Sequence, residues 1–506
     1  MPTQKLLVIL FLSYCSLFFF ARPHLPTLDL GRHIINGREI IENGSVFEDN
    51  HYSHTSPDFM AVNHHWLFGV FAYLGYELGG FPLLVISNAL LNLLAIGGVL
   101  LVASKISSTK SALIAGVFLL PLLIDRNQVR PETISFLFSS IFLVILWFQT
   151  KKRRWWLTAL VALQIVWVNS HLFFVFGPGL VGAFFLRSLF VKKFRWQLKS
   201  LGITLLGVVL ASFFNPVTWR GVIQPFMIFS NYAYPVAENQ SVWFFLKFHP
   251  SPSYWYSAIV LIITFGLVAY ILKQRRSEFL PLILITAVFA IAGEMVTRIL
   301  SFFALLSIPL FSISFDSIWN KYAKTIHRLQ ENTLAVMIIS TVSFVGLLIL
   351  IRTSLFVPSL YSLGVRETPN ANDSAEFFKT LNPSGNIFNN YDIGGYLIFH
   401  LYPDYKVFID NRPEAYPSSF IENEYIAAQK DEQVWEEIAE KYDIGSIFVY
   451  YRDRTDWFEP FIIRRLDDPR WVAVYADQDA IILLDDRPEN AELIAKYRLP
   501  EGVFSY

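Results

Sequence analysis

Carboxylates, histidines and arginines crowd into one stretch of this chain, DLGRHIINGREIIENGSVFEDNHYSHTSPDFMAVNHHWLFGVFAYLGYELGG, which starts at Asp29. Asp29, Glu48 and Asp49 are the residue type that deprotonates an acceptor hydroxyl or holds a divalent cation. Arg32 and Arg38 are cations of the kind that neutralise a phosphate leaving group. His33, His51, His54, His64 and His65 lie among them. Aspartate with imidazole suits manganese, magnesium or zinc, so Asp29, Asp49 and His64 are the candidate ligands, although no set has a diagnostic metal spacing. Asp29 and Asp49 are equally suited to capping short helices.

The elements that must position these groups are membrane helices. Hydrophobic residues make up 54% of the 506 and charged residues only 16%, against about 25% charged in soluble domains. A span needs about 20 mostly apolar residues, and eleven such runs are centred near 13, 92, 117, 140, 162, 181, 207, 263, 287, 307 and 342. The first, Leu6–Ala21, is followed by Arg22-Pro23-His24-Leu25-Pro26 with no small-residue cleavage pattern, which predicts an uncleaved anchor. Basic residues cluster at 105–110, 151–154, 192–199, 273–276 and 321–328. The positive-inside rule puts these loops and the N-terminus in the cytoplasm, and 22–80, 125–130, 215–254 and the C-terminal region outside. Nine of the ten histidines then map to the outer face, so any chemistry is expected there.

Net charge is zero, but residues 1–352 carry 27 basic and 14 acidic side chains while 353–506 carry 14 and 27. The surplus of cations sits in short loops beside spans and the tail is acidic, which argues against a nucleic-acid partner. The lone Cys15 excludes an internal disulfide framework. The expected organisation is a polytopic α-helical membrane domain of about 11 spans over 1–352, with the outer loop 22–80, and an extracytoplasmic α/β domain over 353–506. In the tail, runs at 386–388, 406–409, 446–450, 471–475 and 480–484 predict strands, with helices opening near Ser374, Val434 and Pro488.

An anchor helix followed by D-x-x-x-H-x-x-x-G (Asp29, His33, Gly37), D-x-x-x-S-x-T (Asp49, Ser53, Thr55) and H-x-W-L (His64, Trp66, Leu67) resembles uncharacterised prokaryotic membrane proteins. These are similar to the C-type (GT-C) glycosyltransferases, which include protein mannosyltransferases, aminoarabinose transferases and oligosaccharyltransferases. RNQVRPE (126–132), NSH (169–171), FNP (214–216), NNYDIGGYL and KVFIDNRPEAY extend the likeness. The resemblance implies a polyprenyl-phosphate sugar donor, a glycan, lipid or protein acceptor, and an acidic residue of the first outer loop as catalytic base or metal ligand. That role falls on Asp29, then Asp49. Two departures stand out. Leu30 follows Asp29 where mannosyltransferases place Glu, and the tail lacks the W-W-D-Y-G string of oligosaccharyltransferases, so transfer of a preassembled oligosaccharide to asparagine is not expected.

The resemblance also implies a role for Asp125, since several C-type transferases place an acidic residue of the second outer loop at the active cavity; an interfacial helix-end charge is its alternative. Arg130, His171 and Arg298 are candidates for donor contact. Glu294 and Arg298, four apart near the outer end of a span, sit on one helix face and could form an ion pair; charges at that depth face protein or a wet cavity. Asp410 and Arg412 follow a run read as a strand, where α/β domains carry functional loops, and with Arg32, His33, His64 and His65 they complete the expected substrate-contacting set. Asp392 with Gly394 and Gly395 marks a tight approach or a helix N-terminus. The expected activity is a membrane glycosyltransferase. A non-catalytic transporter, a flippase or an envelope-assembly scaffold is the alternative, with neither repeated halves nor charged central spans to favour it.

Overall fold

The computed structural model describes residues 2–153, 155–227, 233–331 and 362–500, with isolated positions at 337, 341, 346, 355, 356, 359, 503 and 504. They fall into two compact units. The first comprises Met1–Arg22, Val85–Thr218 and Val236–Val365; the second comprises Pro23–Leu84, Trp219–Pro235 and Arg366–Tyr506.

The first unit is a helical bundle. A helix lies at ten of the eleven expected positions, from α1 (Pro2–Phe19) to Leu300–Glu331, and the run near 342 lies outside the described residues. Among the described residues, five stretches are long and apolar enough to cross a membrane: Trp66–Ile106, Leu172–Phe190, Pro252–Lys273, Ser277–Met295 and Thr297–Ala323. This is a membrane protein. Others fall short on length: Thr109–Leu123 has 15 residues, roughly 22 Å at 1.5 Å per residue against a hydrocarbon core of about 30 Å. Depth within the bundle follows burial. The apolar window of Thr297–Ala323 is 89% buried and that of Pro252–Lys273 only 39%, which leaves Ile259, Ile262 and Phe265 on an outward apolar face. Buried amides and hydroxyls tie helix to helix: Thr133 donates to Asn88 at 2.5 Å and Ser140 to the Ala95 carbonyl at 2.7 Å, the close polar contacts expected where no water competes.

The second unit joins the loop region 23–84 to the tail. After Asp29, α2 (Leu30–Asn43) runs to Gly44, whose positive φ stops it. The first part of α3 (Trp66–Ile106) packs across it. A Cβ on Gly37 would sit 2.0 Å from the Gly69 carbonyl oxygen, so the two backbones meet where neither carries a side chain. Gly37→Ala should therefore force the helices apart and cost about 3 kcal/mol of stability, read as a lower melting temperature; an unchanged melt would refute the crossing. At 41 residues α3 exceeds the thickness of a bilayer, and its backbone leaves helical geometry at Gly79 and Gly80.

The tail holds a mixed sheet of β1 (Asn386–Phe388), β2 (Ile444–Tyr450), β3 (Trp471–Ala476) and β4 (Ala480–Asp485) in the order β1-β2-β4-β3, with β1 parallel to β2 and the other pairs antiparallel. Helices over Asp373–Leu381, Glu432–Lys441 and Ala491–Tyr497 match the expected starts. One expectation is corrected. Lys406–Ile409 is not a strand: Val407 forms only an isolated bridge to Ser53, its N–H donating to the Tyr52 carbonyl and its carbonyl accepting from His54, while Phe408 N–H donates to the Asn389 side chain at 2.8 Å. Its β-like apolar run is a buried segment stitched to Tyr52, Ser53 and His54. By packing, residues 23–84 and 219–235 likewise belong with the tail rather than with the helices that flank them in sequence. Thr55 Oγ1 donates to the Phe408 carbonyl, Arg220 pairs with Glu48, and Tyr234 stacks on Tyr391. Beneath lies a core of Phe388, Phe408, Tyr425, Trp435, Phe461 and Trp471.

Candidate functional site

The start of α2 sets the geometry. Asp29 occupies the N-cap position yet makes no side-chain cap bond. Its carboxylate turns instead along the helix to residues one turn on: Oδ2 lies 3.3 Å from His33 Nε2 and 3.9 Å from the Arg32 guanidinium. The spacings of three and four place both partners over the same turn. His33 has no exposed surface, and burial first, then Arg32, push it down to about 4 against the pull of Asp29. A neutral imidazole beside an acceptor-only carboxylate carries its proton on Nε2 and donates it to Asp29. Arg32 is fixed by donating from Nε to Asn411 at 3.1 Å.

Three imidazoles follow in a row, with His33 and His65 ring centres 5.4 Å apart and His65 and His64 4.1 Å apart. His64 reaches toward Glu414, 4.0 Å away. A narrow cavity is lined by Arg32, Asp49, His64, His65, Arg412 and Glu414. Asp49 also meets His51 at 2.9 Å. Asp410, expected to contact substrate, has no exposed surface. Its oxygens are taken by Arg412 at 2.8 and 2.7 Å and by the Tyr416 hydroxyl at 3.0 Å, so it holds Arg412 in place. Burial opposes its charge, but Arg412, Arg32 and Tyr416 keep its carboxyl below the usual range.

The structure therefore gathers Asp29, Arg32, His33, Asp49, His64, His65, Asp410 and Arg412 in the second unit. In the first unit it gathers Asp125, Arg130 and Arg298. The expected Glu294–Arg298 pair does not form, because the helix ends at Met295 and Val296 is extended, which breaks the four-residue spacing. Arg298 pairs with Glu238 at 2.7 Å instead. Arg126 and Arg130 also donate to Glu238, each at 2.6 Å. Asp125 lies in the 3-10 turn Ile124–Arg126, and desolvation first, then Glu238, hold its carboxyl above the ordinary range against Arg126 and Arg130. His171 is buried and meets Ser135 Oγ at 2.8 Å, inside the bundle.

Sequence reasoning missed Asn50 and Glu238. Asn50 accepts from Arg412 at 2.5 Å and donates to the Ala415 carbonyl at 2.9 Å. A usable signal existed only for Glu238, the lone acid of 215–254. The divalent cation anticipated from aspartate and histidine finds no ligand set: among the described residues no three of His, Cys, Asp or Glu are grouped to hold a metal. Asp29 faces a guanidinium and an imidazole that points a proton at it.

Three buried histidines make this unit sensitive to acid. His33, His54 and His400 are each pushed down from 6.5 to about 4, chiefly by burial. Unfolded, they take protons below about 6.5; folded, they resist until about 4. Stability is thus complete above that window and lost as pH falls through it, each pH unit costing roughly 1.4 kcal/mol per histidine. A melting temperature that stays flat from neutral pH down to about 4.5 would refute the buried neutral state.

No family model matches the chain, and no curated protein does. Solved structures share its architecture. The archaeal oligosaccharyltransferase AglB from Archaeoglobus fulgidus, in complex with an inhibitory peptide and a dolichol-phosphate, matches with a TM-score of 0.55 at 12% identity, over 96% of this chain and 75% of that one. The Archaeoglobus fulgidus oligosaccharyltransferase in complex with Zn and sulfate matches at 0.55 and 13%, over 95% and 73%. ArnT from Cupriavidus metallidurans in the apo state matches at 0.50 and 16%, over 94% and 97%. AglB and ArnT are GT-C glycosyltransferases, and this chain has the GT-C fold.

Proposed function

We propose that this protein is an integral-membrane glycosyltransferase that moves a sugar from a polyprenyl-phosphate donor to a glycan, lipid or protein acceptor on the outer face of the cell membrane. The observation that carries the reading is the Asp29 carboxylate, turned away from its capping position and held by His33 and Arg32 in a chain of this fold. Asp29 takes the proton of the acceptor hydroxyl as that oxygen bonds to the anomeric carbon. The bond from that carbon to the phosphate oxygen breaks with its electron pair, leaving polyprenyl phosphate and an inverted sugar. His33 is a positioning residue that fixes the carboxylate through one hydrogen bond. Arg32 and Arg412 give the cavity cations, and Arg130 and Arg298 are the donor-phosphate contacts of the helical unit. Asp49 and Asp125 are the further acidic candidates.

The topology that goes with this reading has about eleven spans, a cytoplasmic N-terminus and an extracytoplasmic tail, with the membrane domain over 1–352 and the α/β domain over 353–506. The dolichol-phosphate in the AglB structure supports a lipid phosphate as the donor's carrier. The test is transfer of labelled sugar from synthetic polyprenyl-phosphate donors by the full-length protein in lipid. Turnover with any donor supports the transferase, whereas a donor panel that neither binds nor turns over removes it.

A further inference from the structure

Glu238 is the only acid in the outer stretch 215–254 and stands in the short turn Ala237–Asn239. The backbone there is pinned: Thr297 Oγ1 donates to the Glu238 carbonyl at 3.2 Å and Thr297 N–H to the Gln240 carbonyl at 3.0 Å. The side chain is free of that tie and reaches three guanidinium groups. Arg126 and Arg130 donate to Oε1, both at 2.6 Å, and Arg298 donates to Oε2 at 2.7 Å. These arginines come from three separate segments: the turn Ile124–Arg126, the loop before the helix Glu132–Trp147, and the turn Thr297–Ile299.

The donors outnumber what the carboxylate uses. A guanidinium presents five N–H groups in a planar fork shaped for phosphate and carboxylate pairs, yet each arginine spends one on Glu238. The Nε atoms of Arg126 and Arg298 are buried without an acceptor. Three guanidinium groups on two oxygens fit a group with three non-bridging oxygens and a second charge better than they fit a carboxylate. The acids flanking the arginines are Asp125 and Glu132. Burial opposes the charge on Glu238, but the three arginines outweigh it and keep its carboxyl far below the usual range.

We propose that Arg126, Arg130 and Arg298 form a seat for a phosphate ester group, and that the Glu238 carboxylate fills this seat as an internal stand-in which the ligand displaces. Only the side chain has to swing out, because Thr297 holds the turn. The seat deepens the transferase reading, on which its assignment to the released polyprenyl phosphate rests: that monoester carries three non-bridging oxygens, where the sugar-bearing diester carries two. A seat occupied by its own chain is competent only when empty, so apparent affinity is divided by the empty fraction. Removing the carboxylate must then tighten phosphate binding, the opposite of what losing an ordinary contact does.

The experiment measures equilibrium binding of inorganic phosphate and of dodecyl phosphate to the full-length protein in lipid nanodiscs. Glu238→Gln is expected to bind both at least about tenfold tighter than wild type, and Arg130→Gln and Arg298→Gln at least about tenfold weaker. Comparable affinity for the two probes identifies free phosphate as the ligand, and a strong preference for dodecyl phosphate identifies a lipid headgroup; either supports the seat. A folded Glu238→Gln that binds phosphate no tighter than wild type overturns the proposal and makes Glu238 a structural tie. Should that variant not fold, the arginine variants decide, since each leaves Glu238 two partners: unchanged binding in both overturns the seat. Binding is read without turnover, so a protein that binds phosphate and transfers no sugar removes the transferase reading alone.

Discussion

Asp29→Asn should insert, fold and lose nearly all sugar transfer. Asparagine keeps the side-chain oxygen that accepts from His33 Nε2, so the contact at 3.3 Å survives and the start of α2 keeps its geometry. What is lost is the ability to take a proton. General-base catalysis contributes about 10²–10⁴-fold, and initial rates of labelled-sugar transfer are expected to fall by that much with the melting temperature unchanged. Asp29→Glu should retain part of the rate, because a carboxylate one methylene longer still accepts the proton from a displaced position. A rate for Asp29→Asn within about threefold of wild type would remove Asp29 as the base.

Asp410→Ala is expected to have the largest effect on stability. The substitution leaves the Arg412 guanidinium largely out of water, its side chain 13% exposed, with Asn50 at 2.5 Å as its remaining side-chain acceptor. Breaking one half of a buried ion pair costs about 3–5 kcal/mol, most of it the penalty of stranding the other charge. For a unit of this size that corresponds to a melting temperature lower by roughly 10 °C. Removing both charges tests the cause. Asp410→Ala combined with Arg412→Met should be more stable than Asp410→Ala alone, because no uncompensated charge remains. If the double variant melts lower than the single one, the desolvation argument fails. Arg412 also lines the cavity with Arg32, so the double variant separates stability from any contribution of that cation to transfer.

Much of this arrangement could be read from the sequence because it depends on spacing within one element. Asp29, Arg32 and His33 meet over a single helical turn, and Gly37 completes the same motif as the point where α3 crosses. Apolar runs located ten helices because a membrane demands length and hydrophobicity together. Readings failed where a local pattern was completed by distant residues. The run Lys406–Ile409 has the composition of a strand, but its backbone partners lie on the outer loop and on Asn389. The four-residue spacing of Glu294 and Arg298 would carry meaning only on an unbroken helix, and the break at Val296 removes it. Glu238 has no patterned neighbours at all. Its partners lie 112, 108 and 60 residues away, and no periodicity links residues so separated.

The stitching of outer loop to tail has a consequence for how the protein is made. Ser53 hydrogen-bonds to the Phe408 carbonyl across 355 residues of sequence. At ~5–20 residues per second the loop emerges roughly half a minute before its partner exists. Until then the side chains of Asn50, Ser53 and Thr55 lack their partners in the tail, and the long-range closure belongs to the slow class of folding events. A chain cut short anywhere in the helical region lacks these partners, and Arg32 beside Asp29 lacks Asn411.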